Sequence, residues 1–375
     1  MLPNIIHQSW KTTNVYKDIK LYSTHNRVIR GGNEKSLTGD WYENAVFNVT
    51  STSAYGKFEF IGDTKQTKNK KIASQTQPNS IYSEEIQTKF ATTKTLEGNY
   101  CLFIGFFLNH YGHNSHDNIP VFQMLKNTLP NDILFLIPKH HDLLKNMLIE
   151  IDSEWNNKFV EYDEKTPTSI NGKTYFICHA KDKLPHSSYH LKGYRDDLRK
   201  ALNRSEKITN QEHIIFCPRI NDNKHGRGNS NEQIIEIENL IKSVCEAKNV
   251  NAKISTFYHE HYKTISEQKN FFKDSTIILG VHGTALTNMI WSDRFSSYTQ
   301  KPLQIIEGIG LSEAYKKYPN FQKGNDDGYY KLFAEGFNVK WRHFFYHPIN
   351  NKFNEVYIDL TNIKNALIDT LDFGE

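Results

Sequence analysis

The chain has 375 residues, 38% hydrophobic and 23% charged, the balance of a globular protein with room for two ordinary domains or one large one. Its formal charge of +4 favours a small anionic ligand slightly and falls short of the basic footprint of a nucleic-acid-binding protein. The four cysteines, Cys101, Cys178, Cys217 and Cys245, stand apart with no CxxC pair. That excludes a dithiol or zinc motif and reads as buried thiols in a reducing compartment.

Residues 1–95 read as an irregular, β-rich N-terminal segment. Strand-like pieces, Ala45–Val49 and Phe58–Ile61, alternate with polar turns, and Asp63–Ser80 is polar enough to read as a loop or linker. Met1–Gln8 shows no basic n-region or apolar h-region, and no apolar run approaches the roughly 18–20 residues of a bilayer span. The expectation is therefore a chain without signal or transmembrane helix, working in the cytoplasm.

From residue 96 apolar runs of strand length alternate with helical stripes. Cys101–Phe107 reads as a buried strand, followed by a helix from about His116. Ile133–Ile137 is a strand, and Leu143, Leu144, Met147, Leu148 and Ile151 mark one helix face. Tyr175–Cys178 and a helix near Tyr194–Leu202 close a first Rossmann-like unit over 96–204. The rhythm repeats over 205–335. Its strands are Ile214–Cys217, Ala252–Phe257, Ile277–Val281 and Leu303–Ile306. Its helices run along the Ile234-to-Val244 stripe, over Ser266–Phe272 and after Gly283. Such alternation implies parallel sheets covered on both faces. Residues 336–375 carry Val356–Leu360 and a stripe at Ile363, Leu367 and Leu371 that is expected to pack back on the first unit.

Ile277–Asn288 carries the strongest chemistry: an apolar strand runs through His282-Gly283 straight into a helix. The amides of Gly283, Thr284 and Ala285 at a helix N-terminus suit a diphosphate, and His282 adds a donor; a plain βα turn with a satisfied histidine is the competing reading. Phe216-Cys217-Pro218-Arg219 ends another strand with a guanidinium, and the loop Asn221–Asn229 adds Lys224, His225 and Arg227. Arg219 and Arg227 suit a pyrophosphate, although a basic loop is often only a solvated one. Glu307 ends a third strand, where a carboxylate often accepts from ribose hydroxyls.

In the first half, His110, His113 and His116 stand three apart beside Asp117. A metal site there needs one helical face, against which Gly112 and the strand exit argue. A pairing of His113 with Asp117, four apart at a helix start, suits acid–base work, and a cap at that helix fits the same residues.

Taken together, His113-x-x-x-Asp117-x-x-Pro120, then Pro218-Arg219 with Asn231-Glu232, then Val281-His282-Gly283-Thr284-Ala285-Leu286-Thr287-Asn288 resemble glycosyltransferase family 61, over about residues 95–310. The resemblance implies an α/β protein of GT-B type, two Rossmann-like domains facing a cleft behind the β-rich N-terminal segment. Residues 96–204 are then the acceptor side and 205–335 the nucleotide-sugar side. It implies an inverting hexosyl- or pentosyltransferase that needs no metal or other cofactor. A UDP-sugar (UDP-GlcNAc or a UDP-pentose such as UDP-xylose) and a hydroxyl of a glycan acceptor are its expected partners. By the same resemblance Arg219, His282, Gly283, Thr284 and Ala285 hold the donor diphosphate, Glu307 the nucleoside, and His113 and Asp117 lie near the reaction centre; Arg227 and Asn288 complete the expected donor site.

The family often has Trp where Asn114 stands and Ala where Thr284 stands. Other readings are a nucleotide- or carbohydrate-binding relative without activity, and a metal-dependent hydrolase built on His110, His113 and His116. Leu2–Lys11 resembles the opening strand of family 32 sugar transferases, but no Asp-X-Asp follows, so the match reads as coincidence or the remnant of a fused gene. The Asn/Lys/Ile-rich composition points to an AT-rich genome, bacterial or viral.

Overall fold

The computed structural model describes residues 10–11, 19–22, 35–43, 46–49, 58–61, 70–72, 80–82, 94–104, 108, 110–139, 141–163, 168–171, 173–179, 211–220, 228–294, 302–310, 330, 339–348 and 356–372. The chain divides into two compact units, Met1–Leu202 and Asn203–Glu375, both of mixed α/β structure.

The first unit opens with β1 (Trp10–Lys11), β2 (Ile19–Tyr22), β3 (Lys35–Glu43), β4 (Val46–Val49) and β5 (Phe58–Ile61). It continues with β6 (Lys70–Ile72), β7 (Ser80–Tyr82), β8 (Lys94–Glu97), β9 (Tyr100–Ile104), β10 (Leu134–Pro138), β11 (Phe159–Tyr162), β12 (Thr168–Asn171) and β13 (Lys173–His179). Its main sheet runs β1-β2-β3-β13-β9-β10-β11, and the block from β13 to β11 is parallel throughout. A smaller sheet has the order β5-β4-β12-β8, and β6 pairs with β7 as an antiparallel ribbon.

Helices α1 (Ile119–Thr128) and α2 (Asp142–Ile151) belong to this unit. The buried residues of α2, Leu144, Met147, Leu148 and Ile151, recur at the three- and four-residue spacing of one helix face. Trp155 is wholly enclosed, with Phe135 edge-on at 4.9 Å and Phe159 stacked at 5.0 Å. Its indole N–H is satisfied by Gln123 Oε1 at 3.0 Å, the partner that a buried indole requires.

The second unit contains β14 (Glu212–Cys217), α3 (Asn231–Ala247), β15 (Ala252–Thr256), α4 (Ile265–Phe272), β16 (Ile277–Val281) and a 3-10 helix, Thr284–Trp291. After these come β17 (Gln304–Gly310), β18 (Lys340–Pro348), β19 (Val356–Ile358) and α5 (Leu360–Leu371). The strand order β15-β14-β16-β17-β18-β19 is parallel except for the last pair. By first appearance that is 2-1-3-4-5-6, whose five parallel strands follow the order 2-1-3-4-5 of a doubly wound sheet. The order reverses between β14 and β16, so the connections leave their carboxyl ends in opposite directions and open a crevice there.

One face of this sheet is sealed by α3 and α5. Ile237, Ile241, Ile363 and Leu367 pack with Ile214, Ile277, Leu279 and Ile306, all closed to solvent. Burying each such side chain stabilises the unit by about 1.5–3 kcal/mol. Ser230 caps α3, and Thr264 with Glu267 forms a reciprocal capping box on α4, which fixes where both helices begin.

Several elements differ from expectation. Residues 336–375, expected to pack back on the first unit, place β18, β19 and α5 in the second, because the Ile363/Leu367 stripe completes that core. The polar stretch 63–80 contains β6 and the first residue of β7, which pair as an antiparallel ribbon. The helix expected near His116 already begins at Tyr111, and the segment after Gly283 is a 3-10 helix. The helix expected at Tyr194–Leu202 lies outside the described residues, as do residues 2–9 of the family 32 resemblance.

Candidate active site

The carboxyl ends of β14 and β16 bring Arg219 and His282 together. The guanidinium Nη1 of Arg219 donates to the carbonyl of His282 at 3.0 Å. Its backbone is held by Asn229, whose Oδ1 accepts from the Arg219 N–H at 3.0 Å and whose own N–H donates to the Arg219 carbonyl at 2.7 Å. Asn229 in turn donates through Nδ2 to Gln233 Oε1 in the first turn of α3. Arg219 is therefore a fixed arm at the sheet's switch point, where such folds bind ligands.

The His282–Gly283 turn is pinned from three sides. The His282 N–H donates to the Gly308 carbonyl at 2.9 Å, and the Tyr330 hydroxyl donates to the Gly283 carbonyl at 2.7 Å. The His282 ring meets Glu307, Nδ1 to Oε1, at 2.6 Å. Glu307 is fully enclosed, and its second oxygen accepts from Trp341 Nε1 at 2.7 Å and from the Tyr330 N–H at 3.3 Å. Both carboxylate oxygens are thus engaged by protein donors. Glu307 is placed to orient His282.

Gly283, Thr284 and Ala285 open the 3-10 helix, and the first amides of a helix have no intrahelical acceptor. Thr287 Oγ1 donates to the Thr284 carbonyl and Asn288 Nδ2 to the Ala285 carbonyl, at 2.6 and 3.1 Å, so both side chains staple the turn. Asn288 is buried. Arg227, Lys224 and His225 lie outside the described residues. Burial pushes the Cys217 thiol well above its usual range, and this cysteine beside Arg219 is no nucleophile.

In the first unit, His110 caps the helical turn Tyr111–His113 by accepting the His113 N–H on Nδ1 at 3.4 Å, with the two rings 4.9 Å apart. A π turn, Asn114–Asn118, follows and leads into α1. Asn114 is fully buried; its Nδ2 donates to the Leu108 carbonyl and its Oδ1 accepts from Asn118 Nδ2, each at 2.8 Å. Asn114 is thus the clamp between strand exit and π turn. The turn puts His113 and Asp117 four apart on one continuous helical path. His113 is half-buried, and Asp117 and His116 are placed here by backbone alone. Among the described residues no group of three His, Cys, Asp or Glu side chains is set to hold a metal ion.

The model of the family Glycosyltransferase 61 matches residues 111–298. The chain belongs to glycosyltransferase family 61. No curated protein matches it. The matched span of this glycosyltransferase runs from the turn carrying His113 through Arg219 to the His282–Asn288 turn. Glu307, Tyr330 and Trp341 lie beyond it. Tyr330 and Trp341 were missed from sequence because neither sits in a recognisable motif, and Asn229 passed for one more polar loop residue. The asparagine one residue before the Ser230 cap was the available signal. Among the described residues of this transferase no helix is long and apolar enough to cross a membrane.

Proposed function

We propose that the chain is an inverting, metal-independent transferase of GT-B architecture. It moves a sugar from a UDP-sugar, UDP-GlcNAc or a UDP-pentose such as UDP-xylose, to a hydroxyl of a glycan. The observation that carries the reading is Arg219 held on the His282–Gly283 turn at the switch point of the second unit's sheet.

A guanidinium and the first amides of a helix converge where a diphosphate can sit, and together they meet the charge that develops on departing UDP. Elsewhere a divalent cation does that work. The acceptor hydroxyl attacks the anomeric carbon from the face opposite the leaving group. Asp117 or His113 takes its proton, a contribution of typically 10² to 10⁴ in rate. The bond to the acceptor oxygen forms as the bond to the UDP oxygen breaks, and the anomeric configuration inverts. A cytoplasmic setting and a bacterial or viral source belong to the same reading, the latter supported by composition.

Thermal melting against a panel of nucleotides with EDTA present tests the donor site. UDP binding to the native state raises the melting point in proportion to affinity. UDP release from UDP-sugars with a glycan acceptor then reads turnover. Arg219→Ala is expected to cut turnover by 100-fold or more, about 3 kcal/mol, with folding intact. Unchanged turnover in a folded Arg219→Ala chain removes Arg219 from the mechanism.

A further inference from the structure

The three N–H donors on Glu307 divide unequally between its oxygens. Among the described residues, Oε2 accepts from Trp341 Nε1 and the Tyr330 N–H, while Oε1 faces His282 Nδ1. An ionised carboxylate only accepts, so Nδ1 of His282 carries a proton. With Nδ1 committed, any contact of this ring with a donor phosphate passes through Nε2. Ionised phosphate oxygens also only accept, so an imidazole held between Glu307 and a diphosphate must carry both its protons.

We propose that His282 engages the donor diphosphate as an imidazolium, so that nucleotide binding draws a proton from solution, and that Glu307 is the positioning residue that imposes this. The inference rests on the diphosphate reading above. Charged groups near His282 among the described residues include Glu307 from β17, on the ring, and Arg219 from the end of β14, on the His282 carbonyl. Tyr330 brings a phenol ring to 5.6 Å, and His343, the register partner of Glu307, stands on β18. The helix Thr284–Trp291 carries no titratable side chain. Imidazolium and guanidinium together supply the positive charge that a bound cation supplies in metal-dependent transferases.

Isothermal calorimetry of UDP binding near pH 8, with EDTA and in buffers of contrasting ionisation enthalpy, reads the proton directly. The expected result is a buffer-dependent enthalpy equivalent to about one proton taken up per UDP. In Glu307→Gln the amide oxygen is claimed by the two donors at the Oε2 position, so the NH₂ turns to His282. The ring then switches tautomer and donates from Nε2 while neutral. UDP still binds, and the buffer dependence disappears. His282→Gln is expected to lose it as well, and keeps the test decisive if Glu307→Gln does not fold. UDP binding by the native chain with buffer-independent enthalpy overturns the proposal and leaves the diphosphate reading standing. Buffer dependence that survives in folded Glu307→Gln overturns the role of Glu307. No UDP binding at all overturns the donor reading, and the proposal with it.

Discussion

The guanidinium of Arg219 occupies the space that a side chain at Gly283 would fill: a Cβ there would lie 2.7 Å from Nη1. Gly283 has extended backbone, which any residue can adopt, so its missing side chain serves close approach rather than chain reversal. Gly283 and Arg219 are one device, assembled from strand ends more than sixty residues apart in sequence.

Gly283→Ala is therefore expected to act on ligand binding more than on stability. The clashing atom is the far end of a flexible side chain, so Arg219 swings off the His282 carbonyl and the fold survives. Losing one charge-assisted contact to phosphate costs about 1.5–3 kcal/mol, roughly 10- to 100-fold in UDP affinity. Melting temperature and UDP titration of the same sample separate the two effects. Undiminished affinity would show that Arg219 does not need this seat.

Gly280→Ala, three residues earlier, is expected to do the reverse. Its Cβ would meet the backbone carbonyl of Cys217 at 2.6 Å, with Leu286 Cδ2 at 3.3 Å on the far side. Cys217 and Gly280 are register partners in β14 and β16, so that carbonyl cannot retreat without disturbing the pairing. Overpacking of this kind costs about 1–3 kcal/mol. A drop of several degrees in melting temperature is the expected reading, with UDP affinity of the folded fraction little changed.

How far these features were legible in the sequence follows from the kind of signal each leaves. Ile277–Val281 was plain because a run of apolar residues ended in His282-Gly283, and α3 because its stripe repeats at helical spacing behind a serine cap. β18 was hidden: Trp341-Arg342-His343-Phe344-Phe345 mixes charge and rings without clean alternation in polarity, although Phe344 and Tyr346 are buried and His343, Phe345 and His347 exposed. The π turn was hidden too, since it depends on Asn114 reaching back to Leu108, a contact that no periodicity records. Glu307 was read as a strand-end carboxylate, whereas β17 continues to Gly310 and places it mid-strand. Its partners come from positions 330 and 341, on later segments, so its orientation toward His282 required the fold.

Asn114→Ala is expected to loosen the first unit's candidate residues. The change removes one hydrogen bond from the Leu108 carbonyl and one from the Asn118 amide in a buried place. Unsatisfied buried polar groups cost about 1–3 kcal/mol each. Urea denaturation should show a loss of roughly 2–4 kcal/mol. Turnover should fall in the protein that remains folded, because the π turn that follows His113 has lost its clamp. Full stability in Asn114→Ala would mean that the turn is held by other contacts.

His213 gives the second unit a predictable weakness to acid. It is buried on β14, where burial first and the charge of its register partner Lys253 second lower its pKa to about 4, with Asp274 opposing. Its Nδ1 has no hydrogen-bond partner, which suits a neutral ring. An unfolded histidine titrates near 6.5, so between about pH 6.5 and 4 the unfolded chain binds a proton that the folded chain refuses. Stability from this group is complete above about 6.5, falls as pH drops through that window, and changes no further below about 4. The loss is about 1–3 kcal/mol after allowing for partial solvent screening. Urea denaturation of the native chain and of His213→Gln at pH 7.5 and 4.5 checks it. The variant should lose less stability on acidification, and equal losses in the two proteins would mean that His213 accepts a proton in the folded state.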